Sequence, residues 1–442
     1  MKKYCVKIFG CQMNYADAER VVSVLKSMGW QHVENLDKAD AVFLLTCSVR
    51  KKAEDKAFGL LHNLKKWKAK KSGRKVGLTG CMVRETSSQA SVKKDALLRK
   101  SGVLDFVWRI EDSTELPKLL DFSIPTIFQT RDFFSIKPMR QNPTQVFVPI
   151  MTGCNNFCSY CIVPYTRGRE ISRSEKEILA ECKEAVENGA IEITLLGQNV
   201  NSYQKTRGAF AKLLAKVTRI PNLKRLRFVS SHPKDFDESV IDMMAEHTNI
   251  ERHLHLPAQH GDDEILQKMN RGYTTADYLK LLEKFRKKLP EASITTDLIV
   301  GFPGESEKNF KNLLNFYRTA DFDFAFFSKY SSRPNTTAAK LPDDVDSKLK
   351  TKRWHRLNKL MLATAAKKNA KLKNKTLEVL VEKANCHSLE KRDLEKDKRC
   401  ILEGRSSEFF LVKFEGNENL VGKIVNVKIT QPREVELWGE IN

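Results

Sequence analysis

The chain has 442 residues, 41% of them hydrophobic, enough for about three domains that each bury a core. Lysine and arginine outnumber aspartate and glutamate by 77 to 55, a formal charge of +22 that favours nucleic acid over a membrane surface as partner. No apolar run approaches transmembrane length and the N-terminal MKKYCVKIFG has no apolar signal core, so membrane spans and disulfide scaffolds are excluded and a reducing cytoplasm is expected.

The first segment alternates short apolar strands with helical patterns: strands at 6–9, 41–45 and 75–78, helices at 16–28 and 52–70. This is the pattern of a parallel α/β sheet. Each of the three strands runs into a cysteine: Cys11, Cys47 and Cys81. Ligands collect outside the carboxyl ends of strands in such sheets, so the three cysteines are expected to meet as a second three-thiolate site. The bland reading is three unrelated thiols at strand ends. Cys5 and Cys182 read as core fillers, and Cys386 and Cys400 have no role in the pattern.

A linker at 123–144, rich in Pro, Arg and Gln, leads to a strand at 146–151 and then to Gly153-Cys154-Asn-Asn-Phe-Cys158-Ser-Tyr160-Cys161. CxxxCxxC supplies three thiolates and no fourth. A 4Fe-4S cluster so held keeps one iron open to a substrate or cofactor, whereas structural zinc needs a fourth Cys or His that is missing nearby. Further strands are expected at 191–196, 225–229, 253–256, 294–300 and 324–328, separated by amphipathic helices, which makes a partial (β/α) barrel. Polar and glycine residues cluster where these strands end: Gly197, Gln198 and Asn199; Ser231 and His232; Pro257 and Gln259; Gly301 and Gly304. Barrel chemistry sits at that edge, so Gly197, Gln198, Asn199, Ser231, Gln259 and Gly301 are the candidate cofactor contacts. His232, His253 and His255 read more readily as structural histidines.

From Lys348 to Lys375 there are eleven Lys or Arg and no acid, as for a helix lying along a phosphate backbone. Apolar alternation at 377–381, 409–414 and 425–429 reads as strands, and the mixed-charge stretch 382–398 reads as a loop or solvated insertion.

The cysteine loop, with an aromatic before its last cysteine, resembles the radical S-adenosylmethionine enzymes. Gly10-Cys11-Gln-Met-Asn14, Thr46-Cys47-Ser-Val-Arg50, Val163-Pro-Tyr-Thr-Arg-Gly168, Leu195-Leu-Gly-Gln-Asn-Val-Asn201 and Ser230-Ser-His-Pro233 resemble the methylthiotransferase family. Within it they are most similar to the MiaB-type branch, the tRNA 2-methylthio-N6-dimethylallyladenosine synthases. The branch acting on threonylcarbamoyladenosine usually carries GCKVN, and the ribosomal-protein branch GCPKN and IIPSMRG, at the corresponding places. A non-enzymatic iron-sulfur RNA-binding protein is the rival from another class; it would bind RNA without turnover.

The resemblance covers essentially the whole chain. It implies an N-terminal methylthiotransferase domain over 1–122, a radical core over 140–370 and a TRAM RNA-binding domain over 371–442, a small C-terminal β-barrel that the strands at 377–381, 409–414 and 425–429 fit. It also implies two 4Fe-4S clusters, one on Cys154, Cys158 and Cys161 and one on Cys11, Cys47 and Cys81, with S-adenosylmethionine as cofactor. The implied chemistry is radical activation of the adenine ring carbon followed by transfer of a methylthio group from the second cluster. The expected partners are a tRNA anticodon stem-loop and a flavodoxin-like or ferredoxin-like electron donor, acting on a monomer. His260 stands where the family commonly has a serine.

Overall fold

The computed structural model describes residues 1–48, 51–83, 101–123, 132–386 and 399–442. Val49, Arg50 and residues 387–398 of the expected charged loop lie outside these. Strands β1 (Lys3–Phe9), β2 (Gln31–His32), β3 (Ala41–Thr46), β4 (Lys75–Gly80) and β5 (Phe106–Val107) form a parallel sheet ordered β2-β1-β3-β4-β5. Every residue of β3 is buried, as a central parallel strand covered on both faces requires. Alternate residues feed two cores: Tyr4, Phe43 and Leu45 on one face, Cys5, Val42 and Leu44 on the other. Helices α1 (Gln12–Ser27) and α2 (Lys51–Ala69) are the crossovers.

The expected linker is instead packed where it is described. Phe133 joins the first of these cores, and Arg140 pairs with Glu19 of α1 at 2.7 Å and with Glu181 at 2.5 Å. Glu181 also takes Arg20 at 2.9 Å and Arg173 at 2.7 Å, so one buried carboxylate binds the first domain to the second.

Strands β6 (Gln145–Pro149), β7 (Met151–Thr152), β8 (Ile171–Ser172), β9 (Glu192–Leu196), β10 (Arg225–Phe228), β11 (His253–His255), β12 (Ser293–Val300) and β13 (Phe324–Lys329) follow. Parallel sheets β6-β9-β10 and β11-β12-β13 are joined by a parallel bridge between Leu226 and Ile250, giving a six-stranded partial barrel. Helices pack around it in the βα order, with side-chain capping boxes at Ser174, Thr274 and Ser306 fixing three of their starts. One core runs from Val146 to Ala365 and includes Cys182.

Strands β14 (Thr376–Asn385), β15 (Arg399–Ser406), β16 (Leu411–Asn417), β17 (Ile424–Pro432) and β18 (Leu437–Ile441) close a small barrel in the order β14-β15-β16-β18-β17. It docks on the amino-terminal ends of the larger barrel's strands. Arg225 donates to the carbonyls of Arg405 and Glu378, each at 2.9 Å, and Arg227 to that of Ser406 at 2.8 Å. The His253 ring stacks on Phe409, centroids 4.6 Å apart. Cys386 and Cys400, to which the pattern gave no role, form a disulfide between the facing ends of β14 and β15. It is the exception to the expectation of reduced thiols.

Candidate active site

Register brings the first cysteine triad together. Phe9 pairs with Thr46 and Thr46 with Gly80, so the three strands end level; Cys47 N–H then bonds the Phe9 carbonyl and Cys81 N–H the Thr46 carbonyl, both at 2.8 Å. Gly80 has φ +94°, and a Cβ there would lie 2.4 Å from the Thr46 carbonyl, so no other residue fits before Cys81. Asn14 fastens the far side, accepting from Cys11 N–H at 3.2 Å and donating to the Thr46 carbonyl at 3.4 Å. Cys47 hydrogen-bonds with both Cys11 and Cys81. Its proton is shared with its neighbours, which holds Cys11 down to about 7 and Cys81 to about 6 while Cys47 itself is raised.

Cys154, Cys158 and Cys161 lie on the loop after β7. Gly153 has φ +78°, and a Cβ there would meet the Arg169 carbonyl at 2.1 Å; the tight turn places Cys154 N–H 3.2 Å from the Gly168 carbonyl. Burial pushes Cys154 up to about 11 and Cys161 to about 12, so neither is a thiolate unless a cation takes the place of the proton. Cys158 faces two donors. Arg271 Nη1 donates to its Sγ at 3.2 Å; His232 Nδ1 accepts from Lys234 N–H at 3.2 Å, which assigns the ring proton to Nε2, 3.9 Å from the same sulfur. Burial and the charges of Arg271 and Lys234 lower the His232 pKa to about 2, so the ring is neutral.

Of the six candidate cofactor contacts, three present oxygens without a partner. Gln198 Oε1, Asn199 Oδ1 and Ser231 Oγ are buried and make no hydrogen bond. Asn199 donates to Asp235 at 2.6 Å and Asn156 of the cysteine loop donates to the same carboxylate oxygen at 3.0 Å, so Asp235 joins that loop to the end of β9. Buried oxygens left unbonded beside a thiol triad fit a ligand that brings its own donors, such as the amino and hydroxyl groups of S-adenosylmethionine. Packing accounts for the other three. A Cβ on Gly197 would meet Met151 at 2.7 Å and one on Gly301 would meet Lys350 at 2.3 Å, so side chains of the protein occupy the space the glycines leave. Gln259, at φ +69°, has its backbone bonded to Asp297 and Ile299 of β12, each at 2.8 Å.

His260 is fully buried, its Nε2 3.3 Å from Glu305 Oε2. Glu305 in turn accepts from Gly301 N–H at 2.7 Å and from Arg353 at 2.8 Å, so it clamps the glycine loop to the basic helix Ser347–Ala370. That helix corrects a sequence reading. Lys350 and Arg353 lie on its buried face with Leu357, Met361 and Ala365, whereas Lys348, Lys352 and Lys359 are exposed.

The sequence reading gives Arg167 no role beyond its place in the motif at 163–168 and does not single out Asp17. Arg167 Nε donates to Cys81 Sγ at 3.5 Å and its Nη2 to Asp17 at 2.5 Å, and all three side chains are buried. Arg167 follows the cysteine loop directly, and its neighbour Gly168 bonds Cys154, so one dipeptide touches both triads. Met13 packs on Leu196 with Val229 alongside, seating the start of α1 over the ends of β9 and β10. Between the domains, beside the Asp17–Arg167 pair, is a cavity of about 200 Å³ walled also by Met13, Ile110, Phe133 and Phe134.

A partial parallel barrel with a three-cysteine loop at its carboxyl edge is the architecture of radical S-adenosylmethionine enzymes, and the sequence profile of the Radical SAM superfamily matches residues 148–317. Residues 3–100 match Uncharacterized protein family UPF0004. The solved radical S-adenosylmethionine methyltransferase TsrM from Kitasatospora setae shares the fold, with TM-score 0.54 over 76% of this chain and 77% of that one, at 15% identity. Curated relatives are much nearer. The tRNA-2-methylthio-N(6)-dimethylallyladenosine synthase of Dictyoglomus thermophilum is 40% identical across 100% of this chain and 99% of its own. The enzymes of that name from Carboxydothermus hydrogenoformans and Thermoanaerobacter pseudethanolicus are each 40% identical across 99% of this chain, and across 99% and 92% of their own. The chain belongs to the tRNA-2-methylthio-N(6)-dimethylallyladenosine synthase family.

Proposed function

We propose that this protein adds a methylthio group to ring carbon 2 of N6-dimethylallyladenosine beside the anticodon of tRNA. What carries the reading is a pair of three-cysteine sites brought together by one dipeptide, in a chain whose relatives are named for that product. In this reading Cys154, Cys158 and Cys161 hold one 4Fe-4S cluster and Cys11, Cys47 and Cys81 a second, each three-thiolate set leaving one iron without a protein ligand. Gln198, Asn199 and Ser231 orient S-adenosylmethionine through the oxygens described above, while Gly197, Gln259 and Gly301 shape the loops that hold them. Once bound, the clusters and S-adenosylmethionine supply the radical and the sulfur chemistry.

The side chains of the protein have a different part. Arg271 and His232 donate to Cys158 Sγ, and Arg167 donates to Cys81 Sγ. The first domain, lying over the barrel mouth, sets the spacing of the two triads and excludes water from the space between them. We assign residues 1–122 to the methylthiotransferase domain, 140–370 to the radical core and 371–442 to a TRAM-type RNA-binding barrel. The exposed lysines of the Ser347–Ala370 helix support phosphate binding, and among the described residues no helix is long and apolar enough to cross a membrane. The protein is read as a cytoplasmic monomer served by a flavodoxin-like or ferredoxin-like donor.

The test is anaerobic incubation of reconstituted protein with S-adenosylmethionine, reductant and tRNA bearing either dimethylallyladenosine or threonylcarbamoyladenosine, followed by nucleoside mass spectrometry. Gain of a methylthio mass on the prenylated nucleoside alone is expected. Gain only on the other nucleoside overturns the substrate assignment, and cleavage of S-adenosylmethionine without gain on either moves the target to another molecule.

A further inference from the structure

We propose that Arg167 is a positioning residue for the second cluster, tuning it through a hydrogen bond to Cys81 whose strength Asp17 sets. The inference rests on the reading that Cys11, Cys47 and Cys81 hold that cluster. Arg167 belongs to the radical core, yet two nitrogens of its guanidinium reach into the first domain: Nε to Cys81 Sγ at 3.5 Å and Nη2 to Asp17 at 2.5 Å. The guanidinium divides itself between a carboxylate and a sulfur of that domain.

Burial gives the arrangement its weight. Arg167 is 5% exposed, Asp17 1% and Cys81 5%, so water screens neither the charge nor the hydrogen bond. Asp17 also feels Arg20 and Glu111, the other charges facing it. A cluster gains negative charge when it accepts an electron, and a donor on a ligand sulfur stabilises that charge. Arg167 therefore raises the midpoint potential of the second cluster, and Asp17, by neutralising part of the guanidinium, limits the rise. The two residues oppose one another at a site where neither is a ligand.

Opposite effects of two substitutions form the test. Full-length protein, reconstituted with iron and sulfide, is titrated with dithionite while the two reduced-cluster signals are followed by electron paramagnetic resonance. C47A, which removes a second-site ligand, assigns the signals. In R167M the second-cluster midpoint is expected to move to lower potential and in D17N to higher, with the first cluster unmoved in both; R167K keeps the charge and recovers part of the R167M shift. Wild-type midpoints in both R167M and D17N overturn the proposal and leave Arg167 a domain staple, as do shifts of equal size at both clusters. Failure of the underlying reading looks different: wild-type protein would then hold about four irons per chain rather than about eight, and C47A would lose no signal.

Discussion

Arg271 and Cys158 meet across 3.2 Å, Nη1 to Sγ, with the same Nη1 3.4 Å from Tyr160 Oη; Nη2 donates to the Pro257 carbonyl at 2.8 Å and Nε to Tyr273 Oη at 3.1 Å. No carboxylate takes part in those bonds. The Cys154, Cys158 and Cys161 triad therefore feels more of its arginine's charge than the Cys11, Cys47 and Cys81 triad, where Asp17 shares Arg167. Arg271→Met is expected to cut S-adenosylmethionine cleavage in the absence of RNA by about 10- to 100-fold, the usual cost of losing a ligand's hydrogen-bond donor. Arg271→Lys should recover part of it. A wild-type cleavage rate and iron content in Arg271→Met would remove the donor from the account.

Glu305 is an anchor for the fold as well as for the glycine loop. Its side chain is fully buried and that of Arg353 is 2% exposed, so Glu305→Gln leaves a buried guanidinium with only the half-exposed Glu307, 3.7 Å away, as counter-charge. The expected cost is about 3–5 kcal/mol, read from the urea midpoint and slope. A loss below about 1 kcal/mol would mean that the pair is screened like a surface ion pair.

The basic helix offers a sharper comparison, because its lysines divide by face. Replacing exposed Lys348, Lys352 and Lys359 with Ala should weaken tRNA binding and flatten its dependence on salt, by about 0.7–0.9 in slope for each phosphate contact removed. Lys350→Ala should leave that slope unchanged and lower stability, since Lys350 is buried against Gly301 and pairs with Asp343 at 2.5 Å. Equal effects on the salt slope from both faces would contradict the division.

Where the small barrel docks, Glu251 lies buried between Arg225 at 3.2 Å and Arg227 at 2.8 Å. Burial outweighs both arginines and raises its carboxyl from the ordinary 4.5 to about 7. The folded state then holds more protons than the unfolded one between those values. The contribution is complete below about pH 4.5 and is lost as pH rises through 7. Glu251→Gln should flatten the decline in stability over that window, and urea midpoints measured at several pH values in both proteins check it. An unchanged decline would assign the pH dependence to other groups.

Much of this architecture was legible in the sequence because it is local. The apolar runs ending in Cys11, Cys47 and Cys81 predict a parallel sheet, and sheet register alone then assembles the triad. Strands β15 and β18 escaped notice because Gly404 and Gly439 interrupt their alternation; a Cβ at either would lie within 2.4 Å of a carbonyl on the adjacent strand. The contacts of Arg167, a residue of the motif at 163–168, were invisible for another reason. Its partners lie 86 and 150 residues away, and no periodicity encodes a contact between domains. The buried face of the basic helix was available: Lys350 and Arg353 continue the spacing of Leu357, Met361 and Ala365, a stripe obscured by reading charge before position.

The same helix connects the two ends of the molecule. Lys350 and Arg353, near its start, touch the glycine loop at the carboxyl edge of the barrel, while Asn369, at its end, donates to the Arg433 carbonyl of the small barrel at 2.7 Å. Its 24 residues span about 36 Å. If the small barrel holds RNA, as the proposed function has it, an RNA whose base reaches the cysteine loops covers a comparable distance, several base pairs of stem, and a free nucleoside or a trinucleotide then occupies only one end. The length of this helix thus acts as a ruler, setting a minimum size for any substrate that engages both ends.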